Sequence, residues 1–254
     1  MAYKYNGWDD LPTLQSKEIL ANLMDAKQDI RALRIIAETG LGKSNTIRLF
    51  KKAKPKHTYT ITIGYSYSLN FLLDEMMRLL GCYKYHGRNS KHLRFRAIID
   101  AVKAITEAGK DIPLFIFDEG ENSTYSMLKS YKEIYDNTIS HCSLVLIGTP
   151  DLVNMMDIRR RTGQSIPQLT RRFKAGTRFI SGFDKARDMK PFFDKYIPGL
   201  HDLQDLLISL CDNYGELRDY LDPFLTHCSR TGKEPNVTLF RLYHKIPVPK
   251  TKSR

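Results

Sequence analysis

The sequence has few cysteines, a single tryptophan and no long apolar run. Its four cysteines among 254 residues include no C-x-x-C pair: Cys82, Cys142, Cys211 and Cys228. This scattering argues against a disulfide framework or a zinc site and predicts a reducing, cytoplasmic location. No apolar run approaches about 18 residues, so neither a membrane span nor a membrane partner is expected. The N-terminus, MAYKYNGWDDLP, lacks the apolar region of a signal peptide.

Basic residues outnumber acidic ones. Forty Lys and Arg against 28 Asp and Glu give a formal charge of +12. A charge of this size makes a polyanionic partner such as nucleic acid plausible, although a basic protein without such a partner remains an alternative. The composition, 42% hydrophobic and 27% charged, is typical of a globular chain rather than a disordered one.

Strand-like and helix-like segments alternate in the middle of the chain. This alternation predicts βαβ units, and therefore an α/β fold with a parallel sheet covered by helices on both faces. After residue 183 only helical patterns follow. The predicted strands are 33–38, 57–65, 113–119, 143–148 and 177–183, and the predicted domains are an N-terminal helical segment (1–30), an α/β domain (31–183), a small helical domain (184–245) and a basic tail (246–254).

A candidate phosphate-binding loop lies between the first strand and the next helix. Residues 37–44 read AETGLGKS and match the pattern G-x-x-x-x-G-K-[ST], except that Ala37 replaces the first glycine. Glycines let the backbone turn its N–H groups toward phosphate, while the lysine reaches the β- and γ-phosphates and the serine hydroxyl binds Mg²⁺. The alternative is a glycine-rich turn that matches by chance. The expected ATP-binding residues are Thr39, Gly40, Leu41, Gly42, Lys43, Ser44 and Asn45.

Two acids close the most apolar strand, PLFIFDE. In a P-loop enzyme Asp118 would order Mg²⁺ through water, and Glu119 would accept a proton from the attacking water. The adjacent acid pair favours an ATPase over a GTPase or a nucleotide kinase; solvated acids at a strand end are the alternative. The hypothesis requires the loop 37–44 and these carboxylates to face each other. Non-adjacent strands with the two elements facing apart would exclude it.

Four further residues are candidates for the same site. Thr149 follows a strand and is expected to hold the attacking water, unless it is simply a loop threonine. Arg171 and Arg172 precede the last strand and are candidates for a finger that reaches a neighbouring subunit's γ-phosphate, or else contact DNA or solvent. Arg218, in the helical domain, would fold back onto the phosphates; a surface ion pair with Glu216 or Asp222 is the alternative.

Taken together, the motifs AETGLGKS, LFIFDE, LIGTP, LTRRF and GELR resemble those of AAA+ ATPases. Finer features, TYTITIGYSYS and LVLIGTPDLVNMM, resemble the transposition ATPases of the MuB, TniB and TnsC group, over roughly residues 15–235. The resemblance implies a P-loop NTPase of AAA+ type with a five-stranded parallel sheet and a helical lid. It also implies ATP-dependent assembly into rings or filaments on double-stranded DNA, recruitment or activation of a transposase, and disassembly on hydrolysis. The sequence has no room for an N-terminal helix-turn-helix like that of MuB, which argues against sequence-specific binding.

Two stretches without any acid, 82–96 and 158–183, are candidates for DNA contact. Lysine and arginine there would meet phosphates without reading sequence, although a solvated face gives the same pattern. The expected DNA-binding residues are Lys84, Arg88, Lys91, Arg159, Arg160 and Arg161. The rival hypotheses are an AAA+ loader or remodeller of a protein such as a replicative helicase, a nucleotide-gated binding module without turnover, and a small-molecule kinase. Glu119 argues against the second and the helical domain against the third.

Overall fold

A five-stranded parallel sheet organises the α/β part of the chain. The computed structural model describes residues 3–83, 90–109, 111–161 and 167–247, without the side chains of 157–161 and 167–169. The sheet order is β2-β3-β4-β1-β5, and every registered pair is parallel. The predicted fold class is therefore confirmed. The strands are β1 Ala32–Ile36, β2 Thr58–Thr62, β3 Leu114–Asp118, β4 Ser143–Gly148 and β5 Thr177–Phe179.

Helices cover both faces of this sheet. Side chains alternate along a strand, so that Phe115 and Phe117 of β3 join one apolar core while Leu114 and Ile116 join the other. The first core is completed by α3, α4 and α5, and the second by α1 and α2. The helices of this part are α1 Leu14–Asp29, α2 Lys43–Ala53, α3 Leu69–Leu80, α4 Lys91–Glu107, α5 Tyr125–Asn137, α6 Pro150–Arg161 and α7 Pro167–Lys174.

Local sequence signals fix several helix ends. The Ser68 hydroxyl accepts a hydrogen bond from the Phe71 N–H at 3.2 Å and so begins α3. Gly81 ends α3 in the left-handed region, with φ of 73°. The helices α6 and α7 were not predicted, and β5 is shorter than expected. As an edge strand, β5 pairs with β1 alone and over only three residues.

The second compact unit is helical. Contacts group Met1–Leu14, Thr39–Gly42 and Gly182–Arg254 into one unit, and Gln15–Glu38 with Lys43–Ser181 into the other. Side chains of Asp184, Asn213 and Asn236 accept the hydrogen bonds that begin three of the helices. The helices are α8 Lys185–Tyr196, α9 His201–Leu210, α10 Tyr214–Thr231 and α11 Val237–His244. The predicted domain boundaries stay predictions.

Aromatic side chains hold the N-terminal segment within this helical unit. The Trp8 ring stacks on Phe192 and Tyr196, with centroids 5.2 and 5.0 Å apart. The Tyr5 hydroxyl donates a hydrogen bond to Asp222 at 2.8 Å. These contacts attach the segment to α8 and α10. In the four described ranges, no helix has both the length and the apolar character needed to cross a bilayer.

Candidate nucleotide-binding site

The candidate phosphate loop connects β1 to α2. Gly40 and Gly42 have φ of 77° and 81°, in the left-handed region that glycine tolerates. Ala37 has no positive φ; its N–H donates to the Gly148 carbonyl at 3.0 Å, and its side chain is buried. Alanine is therefore compatible with the first position of the pattern. In the rest of the loop Leu41 is buried, whereas Thr39 and Asn45 are exposed.

Lys43 lies folded over its own loop. Its ammonium donates to the carbonyls of Ala37 and Glu38, at 2.7 and 2.9 Å. Burial lowers the pKa of this ammonium, and the carboxylates of Glu121 and Asp118 partly oppose that shift. The lysine thus has exchangeable backbone partners that a phosphate can replace.

Ser44 and Asp118 are in direct contact. The Ser44 hydroxyl donates to the Asp118 carboxylate at 2.6 Å. The strands that carry the two motifs are not neighbours, because β4 lies between β1 and β3. The motifs nevertheless face each other, since Ser44 in the first turn of α2 meets the carboxyl end of β3. The required arrangement of loop and carboxylates is present.

Glu119 is exposed and sits in an uncommon backbone conformation. Its φ is 54°, in the left-handed region that non-glycine residues rarely adopt. Asn122 donates to the Glu119 carboxylate at 3.2 Å and to the carbonyl of Ile63 at 2.9 Å. The carboxylate is therefore held in place at the carboxyl end of β3. Strained backbone of this kind is often found at functional positions.

Thr149 meets a residue that sequence reasoning missed. Its backbone N–H donates to the Glu121 carboxylate at 3.3 Å. Glu121 belongs to a short 3-10 turn, Gly120–Asn122, directly after Glu119. The signal was present in the sequence as a third acid in the run DEGE. The structure thus brings Lys43, Ser44, Asp118 and Thr149 to one end of the sheet, and adds Glu121.

A family model described as an AAA domain matches residues 27–156, about half of the chain. This chain belongs to the AAA domain family. The match runs from the end of α1, through the phosphate loop and the acidic strand, into α6. With the sheet topology, it confirms the predicted AAA+ ATPase fold. Membership of the transposition group stays a prediction.

Three solved structures illustrate the fold that this chain shares. Cdc6p from Pyrobaculum aerophilum is 14% identical with a TM-score of 0.65, and the alignment covers 91% of this chain and 66% of that one. Orc1 from Aeropyrum pernix, solved with DNA, is 12% identical with a TM-score of 0.64, covering 94% and 66%. AMPPCP-bound DnaA from Aquifex aeolicus is 14% identical with a TM-score of 0.51, covering 91% and 63%. These likenesses concern the fold, and the chain spans about two thirds of each structure. Comparison with curated proteins gives no match.

The two candidate finger arginines, Arg171 and Arg172, have different surroundings. Both lie on α7 rather than in a loop. Arg172 forms an ion pair with Asp136 of α5 at 2.5 Å, and both side chains are about three quarters buried. Arg171 is exposed. The structure thus distinguishes two arginines that the sequence leaves equivalent.

Arg218 makes the surface pair that the sequence left open as an alternative. It lies in the first part of α10, and its guanidinium is 3.8 Å from Asp222 one helical turn later. The arginine side chain is 60% exposed. A role toward nucleotide therefore requires a change of partner.

The predicted DNA-binding residues are only partly described. Lys91 is exposed at the start of α4. Arg159, Arg160 and Arg161 form the end of α6, and their side chains lie outside the described part of the chain. Lys84 and Arg88 lie outside the described residues altogether. The predicted DNA surface stays a prediction.

Proposed function

We propose that this protein is an Mg²⁺-dependent AAA+ ATPase that binds double-stranded DNA with little sequence preference. In this proposal it oligomerises on duplex DNA in the presence of ATP, selects target DNA and recruits or activates a transposase. Hydrolysis then drives disassembly. The observation that supports the ATPase most directly is the Ser44–Asp118 hydrogen bond beside the folded-over Lys43. The transposition role rests on the sequence resemblance.

The donor set fits a magnesium nucleotide. Hydroxyl and carboxylate oxygens are the ligands that Mg²⁺ prefers, and Ser44 and Asp118 supply one of each within hydrogen-bonding distance. Mg²⁺ bound here would neutralise part of the phosphate charge. A β-carbon at Gly42 would meet no atom of the described residues within 4 Å, so that part of the chain leaves space open beside this glycine. The loop N–H groups and the N-terminus of α2 favour a phosphate at this place.

Each residue near the expected γ-phosphate would have a separate role in hydrolysis. Glu119 is exposed and held by Asn122, which suits a base that takes a proton from an attacking water. Thr149, at the end of the neighbouring strand, would orient that water with its hydroxyl. Lys43 would leave the carbonyls of Ala37 and Glu38 to contact phosphate oxygens.

The finger that completes the site is Arg171 of a neighbouring subunit. Its side chain is exposed on α7, whereas Arg172 is held by Asp136. An arginine supplied in trans couples hydrolysis to assembly, since an isolated subunit lacks a charge that stabilises the transition state. Arg218 would add a contact from the helical unit on leaving Asp222.

The positive charge of the chain supports the proposal that the subunits assemble on DNA. The chain carries +12, and the stretches 82–96 and 158–183 contain no acid. Contacts from such side chains to phosphates release counterions, so the affinity is expected to fall steeply with salt and to vary little with sequence.

Electron microscopy and ATP hydrolysis measured with and without duplex DNA test this function together. The expected result is ATP-dependent rings or filaments on DNA, and turnover that DNA stimulates. Lys43→Ala should abolish both, while Lys17→Ala, an exposed lysine of α1, should leave both unchanged. Turnover without assembly on DNA, stimulated instead by a helicase or another protein, would favour the loader hypothesis and contradict this one.

A further inference from the structure

Glu121 lies beside the catalytic acids but points toward the end of β4. One carboxylate oxygen, Oε1, accepts the N–H of Thr149 at 3.3 Å. The other, Oε2, lies so close to Gly148 that a β-carbon at that position would collide with it. The side chain is thus fitted against the two residues that end the strand, and Gly148 is required to leave it room.

The second oxygen of this carboxylate is buried without a hydrogen-bond partner in the described part of the chain. Leaving a buried acceptor unsatisfied is unfavourable, and the cost is larger when the acceptor belongs to a charged group. Such a group in a native fold calls for a physical explanation, such as local strain, a bound water or ion, or a role in catalysis. The nearest candidate function is the site that Glu121 borders.

A chain of hydrogen bonds connects Glu121 to the phosphate loop. Glu121 accepts the N–H of Thr149. The carbonyl of the preceding residue, Gly148, accepts the N–H of Ala37 at 3.0 Å. The carbonyl of Ala37 accepts the ammonium of Lys43 at 2.7 Å. The end of β4 is thereby linked to both the acidic turn and the phosphate loop. Burial lowers the pKa of Lys43, and among the carboxylates that oppose this shift Glu121 has the largest effect.

We infer that Glu121 is a positioning residue for ATP hydrolysis: by accepting the Thr149 N–H against Gly148, it fixes where the Thr149 hydroxyl lies relative to Lys43 and Glu119. It acts through Thr149 and contacts neither phosphate nor attacking water. The inference rests on the proposed ATPase function, because the position of the Thr149 hydroxyl matters only if the protein hydrolyses ATP. It adds a residue that the motif patterns did not assign.

Steady-state ATP hydrolysis by substituted proteins tests this role. Glu121→Ala should lower kcat roughly 10- to 100-fold, as displaced catalytic groups do, with KM and nucleotide affinity nearly unchanged. Glu121→Gln keeps an oxygen acceptor for Thr149 and should recover most of the rate. Glu133→Gln, the same change at an exposed position of α5, is the matched control. Loss of nucleotide affinity in parallel with kcat, or a Gln variant as slow as Ala, would overturn the inference.

A double-mutant cycle addresses the contact itself. Gly148→Ala should displace the Glu121 carboxylate and lower kcat by a similar factor. Combined with Glu121→Ala, it should add little, because residues that act through one contact are not additive. Multiplicative losses in the double variant would show independent effects and contradict the proposed coupling.

Amide hydrogen exchange in nucleotide-free protein separates this inference from the proposed function. Exchange at Thr149 should accelerate at least about tenfold in Glu121→Ala and much less in Glu121→Gln, since only the first removes the acceptor. If the unsubstituted protein hydrolyses no ATP, the proposed function fails, and the positioning role for hydrolysis fails with it. If it hydrolyses ATP but Thr149 exchanges equally in all variants, the role of Glu121 alone is refuted.

Discussion

Asn213 lies against Gly40 of the phosphate loop so closely that a β-carbon on Gly40 would collide with the Asn213 amide. The same amide oxygen accepts the N–H of Glu216 at 2.9 Å and begins α10. Gly40 also has a φ of 77°. This position therefore requires glycine for two separate reasons, backbone conformation and space. Any larger residue must move either the loop or the start of α10.

Gly40→Ala should weaken nucleotide binding at least about tenfold and destabilise the protein by more than the roughly 1–2 kcal/mol expected for left-handed strain alone. Gly232→Ala provides the matched control. Its φ is 66°, it ends α10, and a β-carbon there would meet no atom within 4 Å among the residues that the structure describes. Urea unfolding and titration with a fluorescent ATP analogue measure both effects. Equal destabilisation in the two variants, with unchanged nucleotide affinity in both, would show that the contact with Asn213 is unimportant.

Glu119→Gln should preserve ATP and DNA binding while lowering kcat about 10²-fold or more, because an amide cannot accept the proton of the attacking water. Assemblies formed with ATP should then persist on DNA. Glu234→Gln, an exposed glutamate of the helical unit, serves as control. Single-turnover hydrolysis and negative-stain microscopy after nucleotide addition are the measurements. Hydrolysis at the unsubstituted rate would remove Glu119 from the role of base.

Arg171→Ala and Arg172→Ala should behave differently, although the residues are adjacent. The first should reduce turnover about 10³-fold even on pre-bound DNA, as loss of an arginine finger does, without affecting stability. The second breaks the ion pair with Asp136 and should cost about 0.5–1 kcal/mol of unfolding free energy. Asp136→Asn should reproduce that cost. A reversal of the two phenotypes would move the finger to Arg172, and a changed salt dependence of DNA affinity in Arg171→Ala would mark a DNA contact instead.

The cysteine thiols should be unreactive at pH 8 in the folded protein, apart from slow modification of half-buried Cys82. Burial raises the pKa of the Cys142 and Cys228 thiols to about 11, and alkylation requires the thiolate. Since these folded-state pKa values exceed the unfolded ones, the thiols stabilise the fold below about pH 8.5. That contribution is lost as pH rises toward 11. Iodoacetamide labelling followed by mass spectrometry, with urea-unfolded protein as reference, checks the order of reaction. Cys142 reacting as fast as Cys82 would contradict it.

Much of the fold is encoded locally and was predictable. The apolar runs that form β3 and β4 are buried throughout, and such runs are typical of strands in a parallel sheet with both faces covered. The serine before α3 and the glycine after it mark that helix directly. The edge strand β5 was harder to delimit, because its length depends on how far β1 extends beside it. The two helices before it lack a signal as clear as an N-cap followed by regular apolar spacing.

Within the site, sequence patterns located the groups but not their partners. The Ser44–Asp118 contact follows from two motifs whose geometry is fixed by the fold. The ion pair of Arg172 with Asp136 joins α7 to α5. The two residues are 36 positions apart in the sequence, so their contact depends on how the helices pack and cannot be predicted from the residues adjacent to either one. Glu121 was overlooked because its contact is to a backbone N–H, and any residue except proline offers one.

The stacking of Trp8 on Phe192 and Tyr196 provides a built-in optical probe. Trp8 is the only tryptophan in the chain, so emission excited at its red edge comes from one ring in one environment. Undocking of the N-terminal segment from α8 would expose that ring to water and shift the emission to longer wavelength. The protein can therefore be followed through nucleotide and DNA titrations without attaching a dye.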